Sequence, residues 1–185
     1  MASESTNIVT EKLDAGLGVV RTSSGRYLDI RNPNIDDICI EDIAHSLSMQ
    51  ARFNGHLSTF VSVAEHSIMV AATVQKAGHK GKTLVEALLH DATEAYLCDI
   101  PSPIKPLITG YKELERNLAR AIGKKFDIEL CDLHPAIKDA DFESLVYEWD
   151  CFMIHVRKHD RFPMSQDTAK TSFLMLFDYY RNVLK

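Results

Sequence analysis

The sequence predicts an all-α fold that carries one small β-hairpin near its N-terminus. Apolar residues recur at helical spacing from about residue 40 onward, which is typical of amphipathic helices. One clear hairpin signal precedes them, where two β-prone runs, residues 19–22 and 26–30, flank Ser23-Ser24-Gly25. With 185 residues, of which 45% are hydrophobic and 25% charged, the chain suits a single domain around one core.

This single domain divides into four regions. They are a polar lead-in (residues 1–16), the β-hairpin (17–34), a helical core (40–145) and the C-terminal helices (146–185). A turn is expected at Asn32-Pro33-Asn34, because proline disfavours helix in the residue before it. The apolar C-terminal helix either packs internally or meets a partner, and the pattern leaves both alternatives open.

Six or so helices are expected after the hairpin. They begin near residue 41 and continue over residues 60–77, 83–97, 111–126, 135–154 and 169–184. The third is predicted from a capping box, with Thr83 as the N-cap and Glu86 three residues later, and it runs to about Leu97. The Pro101-Ser102-Pro103 segment then forces an elbow that is not helical.

Charge and composition restrict the partners and the compartment. A net charge of −5 and a pI of about 5.9 argue against a footprint for duplex nucleic acid, although a local basic pocket for a phosphorylated small molecule stays open. We expect no membrane span, since no apolar run approaches about 18 residues. We also expect no signal peptide, since the acidic-polar N-terminus lacks a basic start and an apolar core. The four cysteines lack C-x-x-C spacing, which favours reduced, partly buried thiols in the cytoplasm over a cysteine zinc site.

The adjacent pair His90-Asp91 is the most informative feature for function. Both lie in an apolar run that reads as helix, where a carboxylate is costly to bury unless it is paired or bound to a metal. No lysine or arginine stands three or four residues from Asp91 to pair with it. With His66 upstream and Asp141 downstream, two imidazoles and two carboxylates form a set suited to one divalent metal. Glu94 falls on the same side of the predicted helix.

Each of these residues also has an ordinary structural interpretation. A lone histidine such as His66 is most often a core or surface residue. Asp141 reads equally as an exposed helix carboxylate that pairs with Lys138, one turn earlier. Alternatively, Lys138 points toward the metal and meets a phosphate, and the spacing does not choose between these positions. His56 suits a structural role through a buried hydrogen bond.

Five ordered blocks extend the pattern around these four residues. They are Arg52-Phe53-Asn54-Gly55-His56, Ser62-Val63-Ala64-Glu65-His66-Ser67, His90-Asp91-Ala92-Thr93-Glu94-Ala95-Tyr96, Asp99-Ile100-Pro101-Ser102-Pro103-Ile104-Lys105 and Lys138-Asp139-Ala140-Asp141. Together they resemble the HD-domain metal phosphohydrolases, in particular the bacterial 5'-deoxynucleotidase branch and its phage relatives, which include triphosphohydrolases specific for dATP. The resemblance covers about residues 40–145, and residues 25–40 also look like the phage-type members.

The resemblance implies an HD-type helical bundle with one metal bound by His66, His90, Asp91 and Asp141. The metal would be manganese, cobalt, iron, nickel or zinc, with magnesium a further option. In the same comparison Arg52 matches a phosphate-binding arginine, and Phe53 stands where relatives carry an aromatic residue, often Trp, against the nucleoside. Relatives form dimers or larger assemblies, so a homo-oligomer is expected.

Three further site residues follow from the same resemblance. Glu94 matches a catalytic carboxylate that acts as a general acid or orients water. Asp99 matches the residue that reads the sugar 3'-hydroxyl and disfavours a 2'-hydroxyl. Lys105 follows the proline elbow and either reaches the phosphates or is a solvated loop lysine.

The expected function is metal-dependent hydrolysis of the 5'-phosphoester of a deoxynucleotide, in the cytoplasm or, for a phage protein, in the host cytoplasm. A 5'-deoxynucleotidase would release phosphate, whereas a triphosphohydrolase would cut the same bond and release triphosphate. Positive charge beyond the α-phosphate separates the two, with Lys105 and Lys138 as the candidates. The alternatives are hydrolysis of a signalling nucleotide such as a guanosine polyphosphate, or a metal-binding interaction module without catalysis.

Overall fold

The computed structural model of the chain describes residues 16–155 and 163–182. The predicted polar lead-in therefore lies outside the described residues except for Gly16. Within the described part, the two strands are β1 (Val19–Arg21) and β2 (Tyr27–Asp29), and the helices are α1 (Ile40–Met49), α2 (Val63–Lys76), α3 (Lys82–Leu88), α4 (Glu94–Leu97), α5 (Tyr111–Phe126), α6 (Pro135–Trp149) and α7 (Gln166–Asn182). Short 3-10 turns cover Ile35–Asp37, Arg52–Gly55 and Lys105–Leu107, and a π-helical turn at Asp150–Ile154 extends α6. The mostly helical fold with a small β-sheet is confirmed.

The N-terminal hairpin forms where the turn residues predicted it. Strands β1 and β2 pair antiparallel, with Val20 opposite Leu28, and Gly25 in the turn adopts a φ of +88° that favours glycine. Leu28 is fully buried, so the hairpin covers one edge of the helical core.

Asp42, in the first turn of α1, fastens this hairpin to the helices. Its buried carboxylate accepts hydrogen bonds from Ser23 Oγ (2.7 Å), from both N–H and Oγ of Ser24 (2.8 and 2.7 Å) and from Cys39 Sγ (3.0 Å). A buried carboxylate without such donors would be costly, so the donors and the acid stabilise one another.

The core lies between α7 and the three helices α1, α2 and α3 that it contacts. Phe173, Phe177 and Tyr180 of α7 are buried there, which answers the open question about this helix in favour of internal packing. Several large apolar side chains are exposed instead on the outer face of α6. They are Phe142, Leu145, Val146 and Trp149. No helix among the described residues is long and apolar enough to cross a membrane.

The prediction of one continuous helix from Thr83 to Leu97 is wrong. Helix α3 starts after Gly81 and ends at Leu88, and α4 starts only at Glu94. His90 Nδ1 lies 2.8 Å from the carbonyl of Ala87, an oxygen that a continuing helix would offer to the N–H of residue 91. His90 and Asp91 therefore occupy a turn between two short helices.

Two other details differ from expectation. Glu86 completes no capping box, because its carboxylate accepts the N–H of Glu129. Helix α2 begins at Val63, three residues later than predicted, because Ser62 caps it by accepting the N–H of Glu65. The four cysteines are free as expected, but Cys98 and Cys131 are exposed.

Asp42→Asn should destabilise the fold by about 1–3 kcal/mol at neutral pH, because an amide NH2 would face hydroxyl donors. Burial raises the pKa of Asp42, but hydrogen bonds from Cys39, Ser23 and Ser24 hold it well below its ordinary value. The carboxylate therefore contributes stability above its unfolded pKa, and this contribution is lost as the pH falls below about 4. Urea unfolding between pH 6 and pH 3 should show the gap between wild type and variant closing with acid.

The exposed Asp178→Asn provides the matched control and should change the unfolding free energy by no more than about 0.5 kcal/mol. A gap between wild type and Asp42→Asn that stays constant across the pH range would contradict the role given to this carboxylate.

Candidate metal centre and the cleft beside it

Three separate segments bring the four predicted metal ligands together. His66 lies in α2 and is fully buried, His90 and Asp91 lie on the turn after α3, and Asp141 lies in α6. One ligand atom from each of His66, His90 and Asp141 lies within 4.8 Å of the others. Asp91 joins through the imidazoles, with its Oδ2 3.2 Å from His90 Nε2 and 3.8 Å from His66 Nε2. Residues 75 positions apart in the chain thus meet at one point.

The two imidazoles present the same nitrogen, Nε2, to this point. His90 Nδ1 donates to the carbonyl of Ala87, and an oxygen that only accepts requires the proton on Nδ1. His66 Nδ1 lies 3.0 Å from Glu148 Oε1, and this buried carboxylate likewise accepts a hydrogen bond from the Nδ1–H group. Both Nε2 lone pairs are consequently available to a cation.

Glu148 is a site residue that the sequence reading missed. It is fully buried in α6 and accepts from two partners, with its Oε1 on His66 and its Oε2 on Arg52 Nε and one Arg52 terminal nitrogen at 3.1 and 3.0 Å. Burial raises the pKa of Glu148, but the hydrogen bond from His66 and the charge of Arg52 hold it below its ordinary value. A signal was present, because Glu148 stands seven residues after Asp141 and hence on the same helix face.

Arg52 is buried and has one terminal nitrogen left over. That nitrogen lies 4.0 Å from Asp91 Oδ2 and 3.9 Å from Asp99 Oδ2, so it faces the metal ligands. The segment is held in place at its base, where Arg52 N–H donates to Val61 and an antiparallel bridge joins Ala51 to Ser62. The predicted arginine therefore reaches the centre.

Backbone strain accompanies the site. Phe53 and Asn54, directly after Arg52, both have a φ of +53°, and Cys98, directly before Asp99, has a φ of +67°. Left-handed conformations cost residues with a Cβ about 1 kcal/mol or more each, and such strain is typical of functional sites.

Gln50 holds two other predicted site residues in position. Its Nε2 donates to the carbonyl of Glu94 at 2.9 Å, and its Oε1 accepts the N–H of Asp99 at 3.0 Å. This amide from the end of α1 thus fixes the turn that carries Glu94 relative to the loop that carries Asp99. The sequence offered no signal for it, since a lone glutamine after a helix is usually solvated.

Buried polar atoms without a hydrogen-bond partner cluster at this site. Five occur among the described residues, and three belong to predicted site residues: His90 Nε2, Glu94 Oε2 and Asp99 Oδ2. A fourth is the hydroxyl of Tyr111, whose ring lies under Lys105 Nζ at 5.7 Å. Leaving such groups unsatisfied is expensive, so the arrangement indicates that a ligand satisfies them.

The carboxylates of the site divide into charged and neutral groups. Burial raises the pKa of Asp91 and of Asp141, but the neighbouring imidazoles hold both well below the ordinary value. Burial also raises the pKa of Glu94, and the negative charges of Asp91 and Asp99 add to it, so that it reaches about 9. Burial lowers the pKa of His90, but Asp91 and Asp141 raise it to about 10. The centre therefore strongly favours a positive charge between the ligands.

These residues fit a divalent metal by the chemistry of their donors. Two imidazole nitrogens with fixed tautomers and two carboxylates neutralise a doubly charged ion, and the partnerless Nε2 of His90 points where it would bind.

A cleft of about 370 Å³ adjoins the centre. His90, Asp91 and Glu94 form one wall, and the other lining residues include three cations, Lys105, Lys112 and Arg116, and one further carboxylate, Glu115. Lys105 Nζ donates to Glu94 Oε1 at 3.2 Å and to Glu115 Oε1 at 3.0 Å. The predicted Lys105 thus lies in the cleft, together with two cations of α5 that the sequence reading did not select.

Three residues discussed from the sequence are not brought to the metal ligands. Lys138 is exposed, and its Nζ lies 3.5 Å from Asp132 instead of facing Asp141 or the cleft. The ring of Phe53 packs against that of Trp149, with 5.9 Å between the ring centroids. The guanidinium carbon of Arg52 lies 5.4 Å from the centroid of the Phe53 ring. His56 is exposed, so the expected buried hydrogen bond is wrong.

Two relatives are similar to this chain over most of its length. The uncharacterized protein YfdR of Escherichia coli is 40% identical over 132 residues, which cover 71% of each chain. An uncharacterized protein of Rhodobacter capsulatus is 41% identical over 132 residues, or 67% of each chain. No family model matches the chain. Neither relative's name states an activity, so the site itself carries the functional argument.

Glu148→Gln should weaken metal binding by about 10–100-fold, because the amide no longer fixes the tautomer of His66 or neutralises Arg52. Calorimetric titration with Mn²⁺ measures this, and Glu143→Gln, an exposed position on the same helix, is the matched control. Circular dichroism of both variants establishes that the helices persist. Equal Mn²⁺ affinities for Glu148→Gln and wild type would exclude this carboxylate from the organisation of the centre.

Proposed function

We propose that this chain, which belongs to the family of the Escherichia coli protein YfdR, is an HD-type metal-dependent phosphohydrolase. The geometry of the site is the basis of this proposal. The proposed reaction is cleavage of the 5'-phosphoester of a deoxynucleotide. One observation carries the proposal. Four candidate ligand side chains from three segments converge next to a buried arginine and several buried polar atoms without a hydrogen-bond partner, and the cleft beside them contains a protonated carboxyl.

The ligand set would be His66, His90, Asp91 and Asp141. A divalent metal bound there supplies Lewis-acid polarisation of a phosphoryl oxygen and a lowered pKa for coordinated water. Glu148 and the carbonyl of Ala87 hold the two imidazoles in the binding tautomer throughout.

Glu94 is proposed as the proton donor. Its pKa of about 9 keeps the carboxyl protonated at neutral pH, and its Oε2 is buried without a partner. The departing 5'-oxygen of the nucleoside needs a proton as the bond to phosphorus breaks, and a neutral carboxyl provides it. Gln50 fixes this residue through its backbone carbonyl.

Arg52 is proposed to bind the reacting phosphate. Glu148 fixes two of its nitrogens, which leaves the third aimed at the proposed ligand Asp91 and at Asp99, each about 4 Å away. A guanidinium positioned in advance stabilises the charge on the equatorial oxygens without reorganising during the reaction.

Asp99 is proposed to select the sugar. Its Oδ2 is buried without a hydrogen-bond partner, and burial raises its pKa despite the charge of Arg52. A carboxyl oxygen that lacks a donor accepts the 3'-hydroxyl of a nucleoside, and a site that depends on such a bond discriminates strongly.

Three cations in the cleft support a triphosphate over a monophosphate as the proposed substrate. The original candidates for extra charge were Lys105 and Lys138, and only Lys105 lines the cleft. Lys112 and Arg116 replace the missing lysine, since both line the same cleft beyond the centre. We therefore propose a deoxynucleoside triphosphate as the first substrate to test. The homo-oligomer and the cytoplasmic location stay predictions.

A panel of deoxy- and ribonucleotides, as mono- and triphosphates, tests the proposal with Mn²⁺ or Co²⁺ added. Product chromatography should show a deoxynucleoside together with triphosphate, and a chelator should abolish the reaction. Asp91→Ala should reduce turnover and metal binding to background while the helices persist, because it removes a charged ligand and not core volume.

Two further comparisons with the same nucleotide panel test the proposed specificity. Asp99→Ala should relax the preference for deoxynucleotides, whereas Asp139→Ala, an exposed carboxylate near the same ligands, serves as control. Turnover of guanosine polyphosphates alone would favour the signalling-nucleotide alternative. Full activity in Asp91→Ala, or no turnover of any nucleotide by a metal-loaded wild type, would contradict the proposed enzyme and favour an interaction module.

A further inference from the structure

Helix α6 carries four large apolar side chains on the face that points away from the core. They are Phe142 (66% exposed), Leu145 (37%), Val146 (49%) and Trp149 (48%). Their spacing of three, one and three residues places them on one side of the helix, and we call them the α6 stripe. The same helix gives Ile137 and Ala140 to the core, so the stripe is apolar surface that the described residues leave uncovered.

The area of the α6 stripe is that of an interface core. With about 150–250 Å² for each aromatic side chain and less for Leu145 and Val146, the four exposed fractions add to roughly 400 Å². Two such stripes in contact would bury about 800 Å² of apolar surface, and homodimer interfaces are about 65% apolar. The complete interface would therefore cover about 1,200 Å², which is the lower end of the range for stable pairs.

The order of side chains along the stripe is the same in both directions. An aromatic ring stands at each end, and two aliphatic side chains stand in the middle. A two-fold axis between Leu145 and Val146 therefore brings Phe142 of one copy against Trp149 of the other, at both ends of the contact. An interface between identical chains requires such self-complementarity, because residue i meets residue j and j meets i. The i, i+3, i+4, i+7 spacing is also the one at which paired helices interlock.

Acidic residues border the stripe along one edge. Asp139 and Glu143 are exposed there, and Asp150 on the same edge pairs with His155 at 2.6 Å. A two-fold axis sets the acidic edges of two copies side by side, so these charges oppose pairing and salt should screen them. A basic partner protein attracted to this edge would show the opposite dependence on salt, which separates the two kinds of occupant.

We propose that a second copy of this chain covers the α6 stripe, with the two α6 helices antiparallel. Leu145 and Val146 of both copies meet at the centre, and Phe142 packs against Trp149 at both ends. The pairing does not depend on the proposed hydrolysis, because no residue of the stripe is a proposed metal ligand or substrate contact.

The same contact would support the candidate metal centre. Trp149 packs against Phe53, with 5.9 Å between the ring centroids, and Phe53 has a φ of +53° directly after the buried Arg52. Helix α6 also carries Asp141 and Glu148. A second copy that covers Trp149 would therefore hold in place the aromatic pair beside the arginine.

Trp149 is the single tryptophan of the chain, and it reports directly on the proposed contact. Sedimentation velocity from about 1 μM to about 1 mM protein should show the mass rising from 20.8 kDa toward twice that value. The fluorescence of Trp149 should shift to shorter wavelength over the same range, because a half-exposed indole becomes buried. Raising the salt concentration should strengthen both changes.

Val146→Glu and Leu145→Lys test the register of the pair. Each variant alone should weaken dimerisation by about tenfold or more, because it buries like charges near one another at the two-fold axis. An equimolar mixture of the two should restore the dimer, because the opposite charges then face each other. Met175→Glu is the matched control, since this apolar side chain of α7 is 68% exposed and lies outside the stripe, and it should leave the equilibrium unchanged.

Three results would overturn the proposal. They are a wild-type chain that stays monomeric at about 1 mM, a Val146→Glu variant that pairs as tightly as wild type, and a mixture that pairs no better than either variant alone. The first would leave the stripe to a different protein. Circular dichroism of the variants separates lost pairing from lost helix. Because mass and fluorescence are read without turnover, a chain that hydrolyses no nucleotide still supports or contradicts the pairing.

Discussion

The buried carboxylate of Glu148 is the interaction on which the candidate site depends. It joins α6 to the imidazole of His66 in α2 and to the guanidinium of Arg52 in the loop before it. All three side chains are buried, so the negative charge is stable only with both partners, and Glu148 orients each of them. The same contact leaves His66 Nε2 toward Asp141 and one Arg52 nitrogen toward Asp91 and Asp99.

The charge state of each carboxyl group in the site depends on its burial and on the charges of its nearest neighbours. Asp91 and Asp141 stay charged because imidazoles adjoin them, whereas Glu94, with only Lys105 to offset Asp91 and Asp99, takes up a proton. Two carboxyl groups three residues apart therefore differ in charge, Asp91 being ionised and Glu94 protonated. The proposed phosphoester cleavage relies on this difference.

The candidate metal-binding triad of His66, His90 and Asp141 was predictable from sequence, and its surroundings were not. His66, His90, Asp91 and Asp141 stood out because carboxylates and imidazoles on apolar segments need a reason to be there. The apolar periodicity did not predict the helix break at His90, because the His90 side chain bonds to the Ala87 carbonyl that a continuing helix would use. Lys138 looked equivalent to Lys105, but the chain turns it to Asp132. The role of Glu148 became visible only when the fold placed it against His66 and Arg52.

Anomalous diffraction from crystals grown with Mn²⁺ tests the central claim most directly, since it locates the cation without relying on turnover. The account predicts one peak about 2.0–2.3 Å from His66 Nε2, His90 Nε2 and one oxygen each of Asp91 and Asp141. A peak at some other place in the molecule, or none between these four side chains at saturating manganese, would contradict it.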